Sequence, residues 1–80
     1  MKHSDLFEEL RELRKTMARQ KRTMPFRILT DDVLIELVKK TPVTAQEAIN
    51  IKGVGPSKVK TVIPKFLAAI HAWRNRELNQ

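Results

Sequence analysis

The chain contains only two glycines, and they stand two positions apart in Ile49-Asn50-Ile51-Lys52-Gly53-Val54-Gly55-Pro56-Ser57-Lys58-Val59-Lys60. No other stretch constrains the path of the polypeptide as strongly. An apolar segment ends there, turns sharply and restarts as a lysine-bearing helix. Gly53 and Gly55 can take the φ > 0 conformations that a tight turn needs, and they allow another backbone to come close. Pro56 has its φ preset for a first helical turn and has no N–H to leave unpaired, so it belongs just inside a helix start. The amides from Gly55 to Lys58 then lie at a helix N-terminus, where unsatisfied donors and partial positive charge can receive a phosphate. Lys52, Lys58 and Lys60 add charge around it. The pattern h-x-G-h-G-x-x-K is that of a helix-hairpin-helix turn, used on nucleic-acid backbones. The alternative is that the glycines only permit a close crossing of two helices.

At 80 residues the chain can bury one small core but not build a catalytic cleft with walls of its own. Without cysteine it has neither a disulfide framework nor a thiolate metal site. Sixteen basic against nine acidic side chains leave +7, which points to a polyanion, either nucleic acid or an acidic surface. The charge falls at the two ends. Residues 1–27 carry eight basic and four acidic groups, residues 28–50 two and four, and residues 51–80 six and one. The middle third reads as solvated scaffold. No apolar run approaches the roughly 18 residues of a membrane span, and the N-terminus lacks a signal-peptide core. A soluble, intracellular chain is expected.

From Asp5 to Gln20 the pattern predicts an amphipathic helix, with Asp5 and Glu8 in capping-box relation. Leu6, Leu10, Leu13 and Met17 form one apolar stripe. Phe7, Arg11, Arg14, Lys15 and Ala18 flank it on one side, and Glu8, Glu9 and Glu12 on the other. A charged flank is ordinarily a solvated face, although the segregation by sign is informative here. Next comes Arg19-Gln20-Lys21-Arg22-Thr23-Met24-Pro25-Phe26-Arg27, and between Leu13 and Thr30 there are six basic residues and no acid. Pro25 disfavours helix at Met24 and closes the first helix by about that point, which leaves Phe26 heading a short extended connector. An aromatic ring between cations suits single-stranded nucleic acid: a base stacks on the ring for about 1–3 kcal/mol, and arginines meet the phosphates. Equally, Phe26 could plug the core where the connector crosses it.

Thr30 or Asp31 should cap a helix running to about Lys40, with Val33, Leu34, Leu37 and Val38 inward. Thr41-Pro42 breaks it. Thr44 and Glu47 form a capping box that opens a short helix burying Ala48, Ile49 and Ile51. After the glycine turn, Val59, Val62 and Ile63 extend the apolar face to Pro64, which divides Pro56–Val62 from Pro64–Arg76. The last helix offers Phe66, Leu67, Ile70 and Trp73 to the core. No alternating strand pattern occurs. The expected fold is all-α, a compact bundle of about five short helices around one core.

Catalytic groupings are missing from this pattern. A nucleophilic triad needs a positioned histidine, and metals need clustered ligands. The two histidines are His3, expected in a frayed terminus, and His71, among basic neighbours on the last helix. No P-loop-type cradle occurs. Neither an enzyme nor a cofactor or metal site is expected.

The chain as a whole resembles one known family. Leu6-Phe7 through Leu13-Arg14-Lys15, Pro25-Phe26-Arg27-Ile28-Leu29-Thr30-Asp31, Leu34, Pro42-Val43-Thr44, Ile51-Lys52-Gly53-Val54-Gly55 and Lys65-Phe66-Leu67 are similar, in order and spacing, to the HRDC domain. That module occurs at the C-terminal end of RecQ-type DNA helicases and RNase D-type exonucleases, and the bacterial RecQ version is the more similar. The resemblance covers about Asp5 to Trp73. It implies a five-helix bundle without activity of its own, which binds DNA weakly and tunes the substrates of a neighbouring helicase core in DNA repair and recombination. It further implies that an aromatic at the position of Phe26 stacks on single-stranded DNA. Phe26 replaces the tyrosine expected there, keeping the stacking face and losing the hydroxyl. Met24 replaces the first residue of a proline pair, which loosens the connector.

The resulting expectation is a single HRDC-like domain over residues 1–80, with its core at about 5–76. Phe26 would be the stacking platform and Arg22 and Arg27 its phosphate partners, with Lys21 beside them. Arg11, Arg14 and Lys15 would extend the groove. Lys52, Lys58 and Lys60, with the Gly53 and Gly55 amides, would form a second contact. The expected partner is single-stranded or partly duplex DNA, bound weakly and without sequence specificity by a monomer in the bacterial cytoplasm at the nucleoid, with no membrane. Two rival readings are a protein-interaction or intramolecular docking module meeting an acidic patch on the parent helicase, and an RNA-binding domain of an RNase D-like exonuclease.

Overall fold

The structure is a computed structural model and describes residues 3–78, so both ends of the expected 1–80 span lie outside the described residues. Six helices follow one another: α1 (His3–Gln20), α2 (Pro25–Ile28), α3 (Asp31–Lys40), α4 (Ala45–Ile49), α5 (Pro56–Thr61) and α6 (Ile63–Leu78). There is no strand among the described residues, and the all-α expectation holds. The sixth helix is α2, a single turn where an extended connector was expected. Pro25 explains the difference. Besides disfavouring helix at Met24, its fixed φ starts a helix from the N1 position, and Met24 caps it in an extended conformation.

α1 begins before Asp5, which therefore sits in its first turn rather than capping it. A carboxylate there still complements the positive end of the helix. His3 is not frayed: its ring lies 5.2 Å from that of Trp73 at 57°, tying α1 to α6. Glu9 and Arg76 pair across the same two helices. Leu6, Leu10, Met17 and Ala18 are buried, whereas Leu13 is half-buried. The inward stripe is thus rotated toward the flank that carries Arg14, and Arg14 is buried with it.

α1 ends at Gln20, earlier than the proline alone requires. Arg22 adopts a left-handed conformation (φ 54°). The Thr23 N–H donates to Ala18 O at 2.9 Å and the Arg22 N–H to Arg19 O at 3.2 Å, the paired bonds of a Schellman motif. α3 opens as expected, the Thr30 hydroxyl accepting from the Val33 N–H at 3.4 Å, and it closes at left-handed Thr41 (φ 43°). Around α4 the capping box is complete. The Glu47 carboxylate accepts from the Val43 N–H at 2.8 Å and the Thr44 N–H at 3.3 Å, while the Thr44 hydroxyl accepts from the Glu47 N–H at 3.2 Å. Those backbone donors, Val43 first, hold the Glu47 carboxyl below its ordinary value. Ala48 and Ile51 are buried, but Ile49 is 45% exposed, against expectation. α4 is five residues long and inserts only one face, and Ile49 follows Ala48 at about 100° round the helix, facing away.

The glycine turn uses its two glycines differently. Gly53 has φ +96°, and a Cβ there would lie 2.8 Å from Val33 Cγ2 of α3. Gly55 has an ordinary φ of −93°, caps α5 and has no atom near an added Cβ. Only Gly53 therefore needs the conformational freedom of glycine. Pro64 occupies the second position of α6, where a missing N–H breaks no bond. Phe66, Ile70 and Trp73 of α6 are buried with Leu34 and Leu37 of α3 and Leu6 and Leu10 of α1. α1 packs on α2, α3 and α6, and α4 and α5 pack on each other and on α6.

Candidate nucleic-acid interface

Phe26 lies on the outside. It is 57% exposed on the single turn of α2, so it does not plug the core; Ile28 and Leu29 of the same stretch do. Met24, one residue before the helix, is also 57% exposed and makes the patch more apolar than the sequence pattern indicated. The Arg27 guanidinium sits 5.9 Å from the centre of the Phe26 ring, within cation–π range. Arg22, held by the Schellman turn, is exposed on the approach to α2, as is Lys21. Arg11, Glu12, Arg14, Lys15 and Pro25 line a shallow pocket of about 200 Å³. Flank residues of α1 thereby meet the start of α2.

Two of the expected phosphate contacts have other employment. Arg14 is only 9% exposed, and its Nη1 donates to Leu29 O at 3.0 Å and to Asp31 Oδ1 at 2.8 Å. Its position four residues after Leu10, next to the apolar stripe, is the sequence signal for that burial. Lys58 Nζ donates to Arg27 O at 3.1 Å and Ile28 O at 2.9 Å. This contact brings α5 against α2, so the glycine-turn helix and the aromatic turn are neighbours. Lys52 and Lys60 are exposed, with Lys52 lining a separate groove with Gly53, Asn50 and residues of α3.

Other cations are neutralised locally. Arg11 pairs with Glu8, Lys39 and Lys40 with Glu36, and Arg76 with Glu9. Arg74 donates to Thr41 O at 3.2 Å. Among the described residues, the cations without an ion pair or a side-chain hydrogen bond are Lys15, Arg19, Lys21, Arg22 and Arg27 around α2, and Lys52, Lys60 and Lys65 elsewhere. Of these, Arg27 has its guanidinium over the Phe26 ring, and Lys15 lines the pocket that Pro25 closes. No group of three or more His, Cys, Asp or Glu able to hold a metal occurs among the described residues. No described helix is long and apolar enough to cross a membrane.

The chain matches the HRDC domain model over residues 3–70 and belongs to that family. It is similar to the ATP-dependent DNA helicase RecQ of Bacillus subtilis (strain 168), 38% identical over 71 residues. It is also similar to the ATP-dependent DNA helicase RecQ of Haemophilus influenzae, 35% identical over 66 residues. These alignments cover 89% and 82% of this chain, which spans only 12% and 11% of the length of those relatives. No solved structure gives a significant match.

Proposed function

We propose that this is a non-catalytic accessory domain of a RecQ-like DNA helicase in the bacterial cytoplasm, acting at the nucleoid in repair and recombination. As a monomer it contacts single-stranded or partly duplex DNA, weakly and without base specificity, and so tunes the structures on which the helicase core acts. Phe26 stacks on a base, Arg22 and Arg27 meet the flanking phosphates, and Lys15 and Lys21 continue the track. Lys52, Lys60 and the glycine turn supply a secondary contact. One observation carries the proposal: a phenylalanine 57% exposed on a one-turn helix, with an arginine over its ring and no acid from Arg14 to Leu29. An exposed aromatic costs solubility and adds nothing to the core, whereas a stacking platform requires that exposure.

The test is a titration of a labelled oligothymidylate, about 15 nucleotides long to span one such site, read by anisotropy across a salt series. If Lys15, Lys21, Arg22 and Arg27 each neutralise a phosphate, log K should fall with log salt at a slope of about −3. Phe26→Ala should weaken binding by about 1–3 kcal/mol with the fold intact. Equal DNA affinity for Phe26→Ala and the unsubstituted chain would overturn the stacking site. Met24, exposed beside Phe26, favours as second reading a docking surface for an acidic, partly apolar patch on the parent helicase. Tighter binding to the same sequence as RNA would point to the RNase D-like alternative.

A further inference from the structure

The platform stands on a helix too short to hold itself. α2 has four residues, and Leu29 N–H to Pro25 O, at 3.3 Å, is its one i→i−4 bond. Forming a first turn fixes several dihedrals for a single hydrogen bond, so a turn of this length melts unless its neighbours hold it. Its C-terminal carbonyls are those a helix leaves without partners and at its negative end. Here three successive carbonyls are taken up by two cations from different helices. Lys58 of α5 donates to Arg27 O and Ile28 O, and Arg14 of α1 donates to Leu29 O while pairing with Asp31. Lys58 reaches them across some thirty positions of sequence, and its side chain is half-buried.

We propose that Lys58 and Arg14 are positioning residues: a two-sided cationic clamp that holds the α2 turn formed and so presents Phe26 and Arg27 outward as a rigid pair. Resting on the stacking function proposed above, this turns the lysine of the h-x-G-h-G-x-x-K pattern away from phosphate. Its ammonium neutralises a helix end rather than a ligand. The glycine turn then serves the aromatic turn mechanically, by placing α5 where Lys58 can reach α2. A preformed platform loses less conformational freedom on binding, and the clamp therefore acts on affinity without touching DNA.

Lys58→Met keeps an unbranched stem of similar reach and removes the donors. Amide hydrogen exchange by NMR reads the clamp directly, without DNA. Leu29 should exchange about tenfold faster, while amides of the α6 core around Phe66 and Ile70 stay protected. In the oligothymidylate titration the affinity should fall about tenfold, the low end for loss of hydrogen bonds from a charged, half-buried donor, with the salt slope unchanged. A lost phosphate contact would instead flatten that slope by about 0.7. In the Phe26→Ala background, Lys58→Met should have a smaller effect, because the ring is one member of the pair it positions. Unchanged Leu29 exchange, a flattened slope, or full additivity with Phe26→Ala would each overturn the clamp. Failure of the unsubstituted chain to bind the oligonucleotide would overturn the stacking function itself, and the exchange comparison would still decide whether Lys58 holds α2.

Discussion

The two glycines should respond differently to the same substitution, and the difference can be worked out from their surroundings. At Gly53 the backbone has φ +96°, so Gly53→Ala places a Cβ in a region L-residues avoid, at a cost of about 1–2 kcal/mol. The added methyl would also stand 2.8 Å from Val33 Cγ2. Val33 is 4% exposed in the first turn of a packed helix, and its branched side chain is stiff at χ1, so it has little room to swing aside. Forcing that contact adds about 1–2 kcal/mol of overpacking. Together, Gly53→Ala should destabilise the domain by about 2–4 kcal/mol, a large part of what a chain this small commands. Gly55→Ala meets nothing within 4 Å at an ordinary φ. Its gain from a stiffer unfolded chain, about 0.4–1 kcal/mol, is roughly offset by loss of a favoured N-cap residue.

Urea unfolding followed by far-ultraviolet circular dichroism measures both. The second comparison is a double-mutant cycle with Val33→Ala, which opens space for the new methyl but leaves the φ strain. Gly53→Ala should cost about 1 kcal/mol less in that background. A Gly53→Ala midpoint within error of the unsubstituted protein would refute the reasoning. So would strict additivity with Val33→Ala, which would show that the close approach to α3 is not felt. If instead Gly55→Ala left stability unchanged but weakened DNA binding, the glycine turn would be acting as a phosphate cradle in its own right.

Arg22→Gly should raise stability by about 0.5–1 kcal/mol, because glycine relieves the left-handed strain at φ 54° though it orders a more flexible chain. The same variant should flatten the salt slope of DNA binding by about 0.7, opposing stability to function at one residue. Arg14→Met should cost about 1–3 kcal/mol in urea unfolding by orphaning the buried Leu29 carbonyl, whereas Asp31→Asn should cost under about 1, its side chain being 82% exposed. Glu47 titrates below its ordinary value of 4.5 in the folded chain, so its contribution to stability is fully present above that value and is lost as pH falls through the lower folded value. Glu47→Ala should accordingly abolish the part of the acid-side stability loss that tracks faster exchange of the Val43 and Thr44 amides.

The helices were readable where periodicity and caps agreed. Thr30, Thr44 and Glu47 cap as their side-chain chemistry requires, and the apolar faces of α3 and α6 point inward as spaced. Reading fell short where one residue had two possible local effects. Pro25 both forbids helix at Met24 and starts one after it, and only the first effect is plain from the sequence, which hides α2. The end of α1 at Gln20 lies where the periodicity puts it, but Arg22 carries no sequence mark of a left-handed C-terminus, because that place is usually glycine's, so the turn that follows was not legible. Hydrophobicity alone points Ile49 inward, but a five-residue helix has room to bury only one face.

The site was legible in its residue types and less so in their directions. Composition placed cations at both ends of the chain, but the long stems of arginine and lysine let the same charge meet either a ligand or a backbone carbonyl. Arg14 and Lys58 are engaged by carbonyls left over at the end of α2, and this demand becomes visible only once the turn is known to exist. Phe26 is the converse case. Hydrophobicity suggested the core, yet Ile28 and Leu29 already fill the space beneath α2, and a one-turn helix that commits those two inward must direct Phe26 outward. The exposed ring therefore follows from the same short turn that recruits Arg14 and Lys58, and both are consequences of one proline.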